Sequence, residues 1–280
     1  MEAFSRAWAW LRHQALPIYA ALATAYLLIP IAVIAIFSFG ATPKGKLTFA
    51  LDEGFTLEYW ETMFDIEALN EALLTSVELA ALATAIATAI GTAMAIALVR
   101  HQFKGRRAAN LLIVIPMATP EVVIGASLLS MFIYANFALG FSTLLIAHVM
   151  FCISFVVVVV RSRLIGFDRK LEEAAADLGA TPFTTFRLVT LPLILPGVIA
   201  AAMLAFALSI DDFVISNFNS GTTVTFPLYV YGVSLRGIPV QVNAIATLLF
   251  LVASAAAIAV MLQQRRAERM SALPADVKAN

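Results

Sequence analysis

The amino-acid sequence predicts an all-α, multi-pass membrane protein with six spanning helices and both termini in the cytoplasm. Three observations predict it. The composition is 61% hydrophobic and 13% charged, with mean hydropathy +0.91, whereas a soluble domain sits near ~45–50% and ~25%. Six apolar runs are each long enough to cross a bilayer, which takes ~20 residues. With six crossings, every basic loop falls on one face, as the positive-inside bias requires. Five or seven crossings scatter the basic loops over both faces.

The expected spans are 16–39, 73–99, 109–134, 139–160, 190–217 and 243–262, in a single transmembrane domain over 1–280. Arg6, Arg12 and His13 precede the first run. A secretory h-region is only ~7–15 residues, so this longer run reads as an uncleaved span rather than a cleaved signal. Between the first two spans lies an acidic stretch carrying Phe55, Tyr59, Trp60 and Phe64, which predicts an amphipathic helix at the membrane surface. Span two is dominated by small residues, Ala80 to Ala97 around Gly91, which let helix backbones approach closely. Pro30, Pro116, Pro120 and Pro196 lie in or near spans and predict kinks. The tail over 271–280 is polar and is expected to be flexible.

Arg100, Lys104, Arg106 and Arg107 join spans two and three, and Arg161, Arg163, Arg169, Lys170 and Arg187 join spans four and five. The second of these loops, 161–189, is therefore expected in the cytoplasm. It holds a polar, helix-prone insert. Glu172 and Glu173 suit the positive end of a helix dipole. Ala174, Ala175 and Ala176 are strong helix formers without bulk, followed by Asp177, and Gly179 suits a left-handed stop before Ala180. Thr181 and Pro182 predict a new N-cap and first turn, with Phe183, Phe186 and Leu188 as apolar anchors back into the bundle.

Span five carries Asp211 and Asp212. A carboxylate is costly at membrane depth, and adjacent helical residues point ~100° apart. One of the two is expected to line a path and the other to bond to a loop or neighbouring subunit. Glu121, after Pro120, is pore-facing or near the outer surface. These carboxylates, with Phe213, Tyr229 and Tyr231, are the expected substrate-path residues, suited to an organic cation. His148 and Cys152, four apart, give two ligands where a zinc site needs about four, so both read as packing and no metal is expected.

Other chemistry is thinly supported. The nearest approach to a phosphate loop, Gly40 to Leu47, has Leu47 where the Mg²⁺-binding hydroxyl belongs. No pair of catalytic groups appears, so the chain is expected not to be an enzyme. Formal net charge is zero, which offers no footprint for nucleic acid. The lone Cys152 cannot form an intrachain disulfide.

Glu173-Ala174-Ala175, Gly179 and Leu191-Pro192 together resemble the EAA loop of ABC importer permeases, with Val189 where the family usually has Ile. The resemblance implies a type I importer fold in a bacterial cytoplasmic (inner) membrane. It implies that Glu172 to Ala180 couple to separate ATPase subunits, which use ATP and Mg²⁺ while this chain binds no cofactor. The implied partners are a second homologous permease, two ATPase subunits, an extracytoplasmic solute-binding protein and the lipid bilayer. Within that family, Leu208 to Ser216, Ser220-Gly221, Phe226-Pro227-Leu228 and Val242 to Thr247 are similar to the second permease of spermidine/putrescine importers, as are Ala147-His148-Val149 and Phe151-Cys152. That resemblance implies polyamine transport. Permeases for ferric iron, phosphonates and other solutes share parts of these segments, and a channel or membrane scaffold is the reading from another class.

Overall fold

Helix is what these apolar, Ala-rich runs must form where no water can satisfy the backbone. The computed structural model describes residues 2–40, 54–166 and 168–272, and side chains between 14 and 262 among them. The near phosphate loop and the last eight residues of the expected tail lie outside the described residues. Two compact units form, Met1–Ile66 with Val233–Asn280, and Glu67–Gly232.

In the first unit, α1 (Glu2–Phe37) contains Pro17 and Pro30, and α12 (Val240–Ala272) packs against it. The expected surface helix is only a single turn, α2 (Glu58–Glu61). Its Trp60 does not lie out on a surface. The ring stacks on Phe39 at 5.2 Å, and Nε1 donates to Ser38 Oγ at 3.2 Å. An indole N–H seeks a partner when half-buried, while Phe55 and Phe64 stay exposed.

The second unit is built on three long helices that pack mutually: α3 (Glu67–Arg100), α6 (Phe141–Ile165) and α9 (Leu191–Ile210). The small-residue stripe of α3 is its buried face, with Ala80, Ala83, Ala87, Gly91 and Ala95 all buried. Val156, Val157 and Val160 of α6 are buried in the same core. A Cβ on Gly91 would sit 2.7 Å from Val156 Cγ1, so only glycine admits this approach of α3 to α6.

The expected third span is not one helix. It is α4 (Arg106–Ala118) and α5 (Glu121–Tyr134), bent by 111°. Pro120 has no N–H to give and forces Thr119 into extended backbone, φ −89° and ψ 134°. Five helices are long and apolar enough to cross on their own, and the bent pair makes a sixth crossing. Three hydrogen bonds tie the two halves of the pair to different ends of α6. Arg161, near the end of α6, donates to Asn110 in α4 at 2.8 Å. Asn219 donates to the Gly125 carbonyl of α5 at 3.3 Å, and the Asn219 carbonyl meets Thr143 at the start of α6 at 2.8 Å. The pair therefore joins opposite ends of α6.

Span five also departs from the expected 190–217. Its helix begins earlier, at α8 (Pro182–Thr185), passes through a π turn (Phe186–Thr190) into α9, and stops at Ile210. Pro192 cannot donate, and its ring crowds a carbonyl one turn back. The widened turn, closed by the Leu191 N–H on the Phe186 carbonyl, relieves that crowding. Asp211 to Phe213 break the helix before α10 (Val214–Asn219) and α11 (Phe226–Ser234).

Candidate functional site

Two groups of polar residues stand out in the Glu67–Gly232 unit, one at each end of α6. At the C-terminal end lies α7 (Lys170–Asp177), the insert the sequence singles out. It has no buried residue. Its end is a Schellman motif: the Ala180 N–H donates to the Ala175 carbonyl at 3.0 Å and the Gly179 N–H to Ala176 at 2.9 Å, with Gly179 at φ +84°. Nothing lies within 4 Å of a Cβ built on Gly179, so the glycine is there for its backbone and not for space. Thr181 caps α8, accepting from the Thr184 N–H at 3.3 Å, with Pro182 in the first turn.

Glu173, Ala174, Asp177 and Gly179 are exposed along this rod, while Ala175 and Ala180 are half-buried. Glu173 reaches only Arg169, at 3.6 Å across one helical turn. Glu172 differs from the expected docking residue. Its Oε2 lies 3.2 Å from Arg100 Nε, and its Oε1 accepts from Thr190 Oγ1 at 2.7 Å. Two of the three expected anchors face outward: Phe183 is 71% and Leu188 67% exposed. Only Phe186 turns inward, toward a cavity of about 490 Å³ that it lines with Thr88, Val198 and Ala202. The π turn re-aims the segment after Phe183, which a regular helical period cannot anticipate.

At the other end the two adjacent carboxylates part company. Asp212 is buried and accepts the Ile215 and Ser216 N–H groups at 3.2 and 2.8 Å, capping α10. His148 stands beside it, with Nε2 3.5 Å from Asp212 Oδ2. Its ring nitrogens also lie 2.7 Å from Ser209 Oγ and 3.0 Å from Ser216 Oγ. His148 thus staples both sides of the break between α9 and α10. Cys152, four residues further along α6, is buried and contacts the Ala205 carbonyl at 3.5 Å. The sequence did hold a signal for this network: Ser209, Asp212 and Ser216 recur at helical spacing within an apolar run.

Asp211 is exposed at the C-terminus of α9, and Glu121 is exposed at the first position of α5. Phe213 and Tyr231 bring their rings to 4.8 Å, and Tyr229 is half-buried on the same helix as Tyr231. Of the expected path residues, the structure leaves Asp211 and Glu121 exposed, brings Phe213 and Tyr231 together, and gives Asp212 a structural role.

Comparison with known proteins places this arrangement. Residues 87–268 match the model of the binding-protein-dependent transport system inner membrane component. The chain is 38% identical over 232 residues to the spermidine/putrescine transport system permease protein PotC of Haemophilus influenzae, covering 82% of this chain and 89% of that protein. It is 37% identical over 232 residues to the putrescine transport system permease protein PotI of Escherichia coli, covering 80% and 81%. Its fold is similar to a chain of a bacterial alginate ABC transporter solved in complex with an alginate pentasaccharide-bound periplasmic protein, with TM-score 0.62, 18% identity and coverage of 95% and 99%.

Proposed function

The chain belongs to the binding-protein-dependent transport system inner membrane component family, and from that premise we propose that it is one permease subunit of an ATP-driven polyamine importer. It is a multi-pass bacterial inner-membrane protein and a transport component. In the proposed complex it pairs with a second homologous permease, receives solute from an extracytoplasmic binding protein and is driven by two ATPase subunits. ATP and Mg²⁺ belong to those ATPases.

The orientation we propose puts α7 and both termini in the cytoplasm. In its favour, Arg100, Arg161 and Arg163 gather at the α7 end of the unit, through Glu172, Asn110 and the Leu193 carbonyl. The exposed, sharply capped rod of α7 is shaped to enter a cleft on an ATPase. Closure and reopening of the ATPases would then move the helices between outward and inward access. Inverting a 1:99 equilibrium takes ~5.5 kcal/mol of differential binding, within what ATP-driven closure can transmit.

One observation carries the solute: the chain is 38% identical to a spermidine/putrescine permease, and Asp211 and Glu121 are exposed carboxylates in it. Exposed carboxylates suit a solute that carries ammonium groups, and the Phe213–Tyr231 ring pair offers faces that attract such groups by ~0.5–2 kcal/mol. The test is uptake of labelled spermidine and putrescine by vesicles holding the assembled importer. Asp211→Asn should lower uptake roughly tenfold, the effect of ~1.4 kcal/mol, with ATPase subunits still bound. Uptake of neither polyamine by the wild type would reassign the solute and leave the permease role standing.

A further inference from the structure

Glu172 and Glu173 are neighbours in the same exposed helix, yet their side chains live in different surroundings. Glu173 is 64% exposed, while Glu172 is 17% exposed and turned toward the bundle. Its two oxygens reach two other elements. One lies 3.2 Å from Arg100 Nε, at the last residue of α3. The other accepts from Thr190 Oγ1 at 2.7 Å, at the last residue of the π turn, where the hydroxyl is buried. A single carboxylate joins α7, the end of α3 and the start of α9.

Nothing else in α7 does this. The helix buries no residue fully, and the small Ala175 is half-buried, so apolar packing contributes little to fixing its angle. The Schellman motif shapes its own end without tying it to the bundle. Arg100 sits at the negative end of the α3 dipole, where a cation is favoured. An ion pair largely shielded from water, its side chains 14% and 17% exposed, is less screened than an exposed pair such as Arg169–Glu173. The π turn next to it is a strained variant of helix that recurs where helices deform at functional sites.

We infer that Glu172 is a positioning residue for coupling: it makes α7, α3 and α9 move as one body, and it does so inside this chain, not by touching the ATPase. This rests on the coupling role proposed above for α7. It predicts that Glu172 and Arg100 act as one unit, whereas an ATPase contact by Glu172 predicts independence from Arg100.

The experiment uses the complete importer in lipid vesicles, with Glu172→Gln, Arg100→Gln and the double variant. ATP hydrolysis, labelled spermidine uptake and the ATPase retained through purification are measured together. Each single variant should keep its ATPase and lose roughly tenfold in uptake per ATP hydrolysed. The double variant should be no worse than either single one. Thr190→Val, which keeps the shape and removes the donated hydroxyl, should lose a few-fold. If Arg100→Gln does not accumulate in the membrane, the same cycle runs between Glu172→Gln and Thr190→Val. Loss of the ATPase in Glu172→Gln, losses that multiply in the double variant, or unchanged uptake throughout would each overturn the inference. A wild type that retains no ATPase would remove the coupling role itself, and this inference with it.

Discussion

At one end of the Glu67–Gly232 unit, α7 carries no buried residue and reaches the bundle through one carboxylate. At the other, His148, Ser209, Asp212 and Ser216 are all at most 8% exposed and bonded to one another across a helix break. Both ends are polar and both follow long apolar helices. One presents its polar groups outward on a rod; the other closes them into a dry knot. An outward rod can receive a partner but contributes little to the fold of its own chain. A buried network does the reverse, because a polar group left unsatisfied in an apolar bundle costs far more than one in water. Mutations at the two ends should therefore separate folding from coupling.

The largest effect is expected at the buried end. Asp212→Ala leaves the Ile215 and Ser216 N–H groups without their acceptor and removes the carboxylate beside His148. The cost is roughly 2–5 kcal/mol, enough to deplete the folded protein in the membrane. Thermal melting of the purified subunit in detergent checks this, with Asp211→Ala as the control one residue away. Asp211 is exposed, and its removal should shift stability by less than about 0.5 kcal/mol. Equal losses at both positions would erase the contrast between knot and path.

Gly179→Arg tests the rod. A non-glycine residue in left-handed backbone costs about 1–2 kcal/mol, and φ is +84° here. No atom lies within 4 Å to clash with a new Cβ. The subunit should reach the membrane folded while ATP-driven uptake is lost. Gly179→Asn should retain much of the uptake, since Asn tolerates the left-handed region. Normal uptake by the Arg variant would show that the end of α7 is not a docking surface.

The contrast also explains how far the sequence could be read. The rod was legible residue by residue, because capping is local: Thr181, Pro182 and Gly179 act on amides within five positions. The long helices were legible because hydropathy and the cost of unsatisfied backbone leave a bilayer segment few choices. What escaped was non-local. The 111° bend at Pro120 and the π turn before Pro192 each replace a regular helix with one of several ways to accommodate a proline, and the neighbouring helices decide which. Glu172 looked like Glu173 until Arg100 and Thr190, far away in sequence, came beside it. Asp211 and Asp212 are adjacent and identical in type, and which of them turned inward depended on His148. The anchoring assigned to Phe183 and Leu188 failed for the same reason, since the π turn shifts which side faces the bundle.

The smallest effect sharpens the comparison most. Leu178 is 89% exposed at the tip of α7, beside the glycine that ends it. An apolar side chain there adds nothing to the fold of the isolated subunit, so Leu178→Ser should leave its melting within about 0.5 kcal/mol of wild type. In the assembled importer the same change removes an apolar group from the surface proposed to enter the ATPase, where burial of a leucine side chain is worth ~1.5–3 kcal/mol. Retention of the ATPase through purification should fall while the melting curve of the subunit alone stays in place. A variant that melts early in isolation would mean that the rod supports the bundle after all, and that the two ends differ in degree and not in kind.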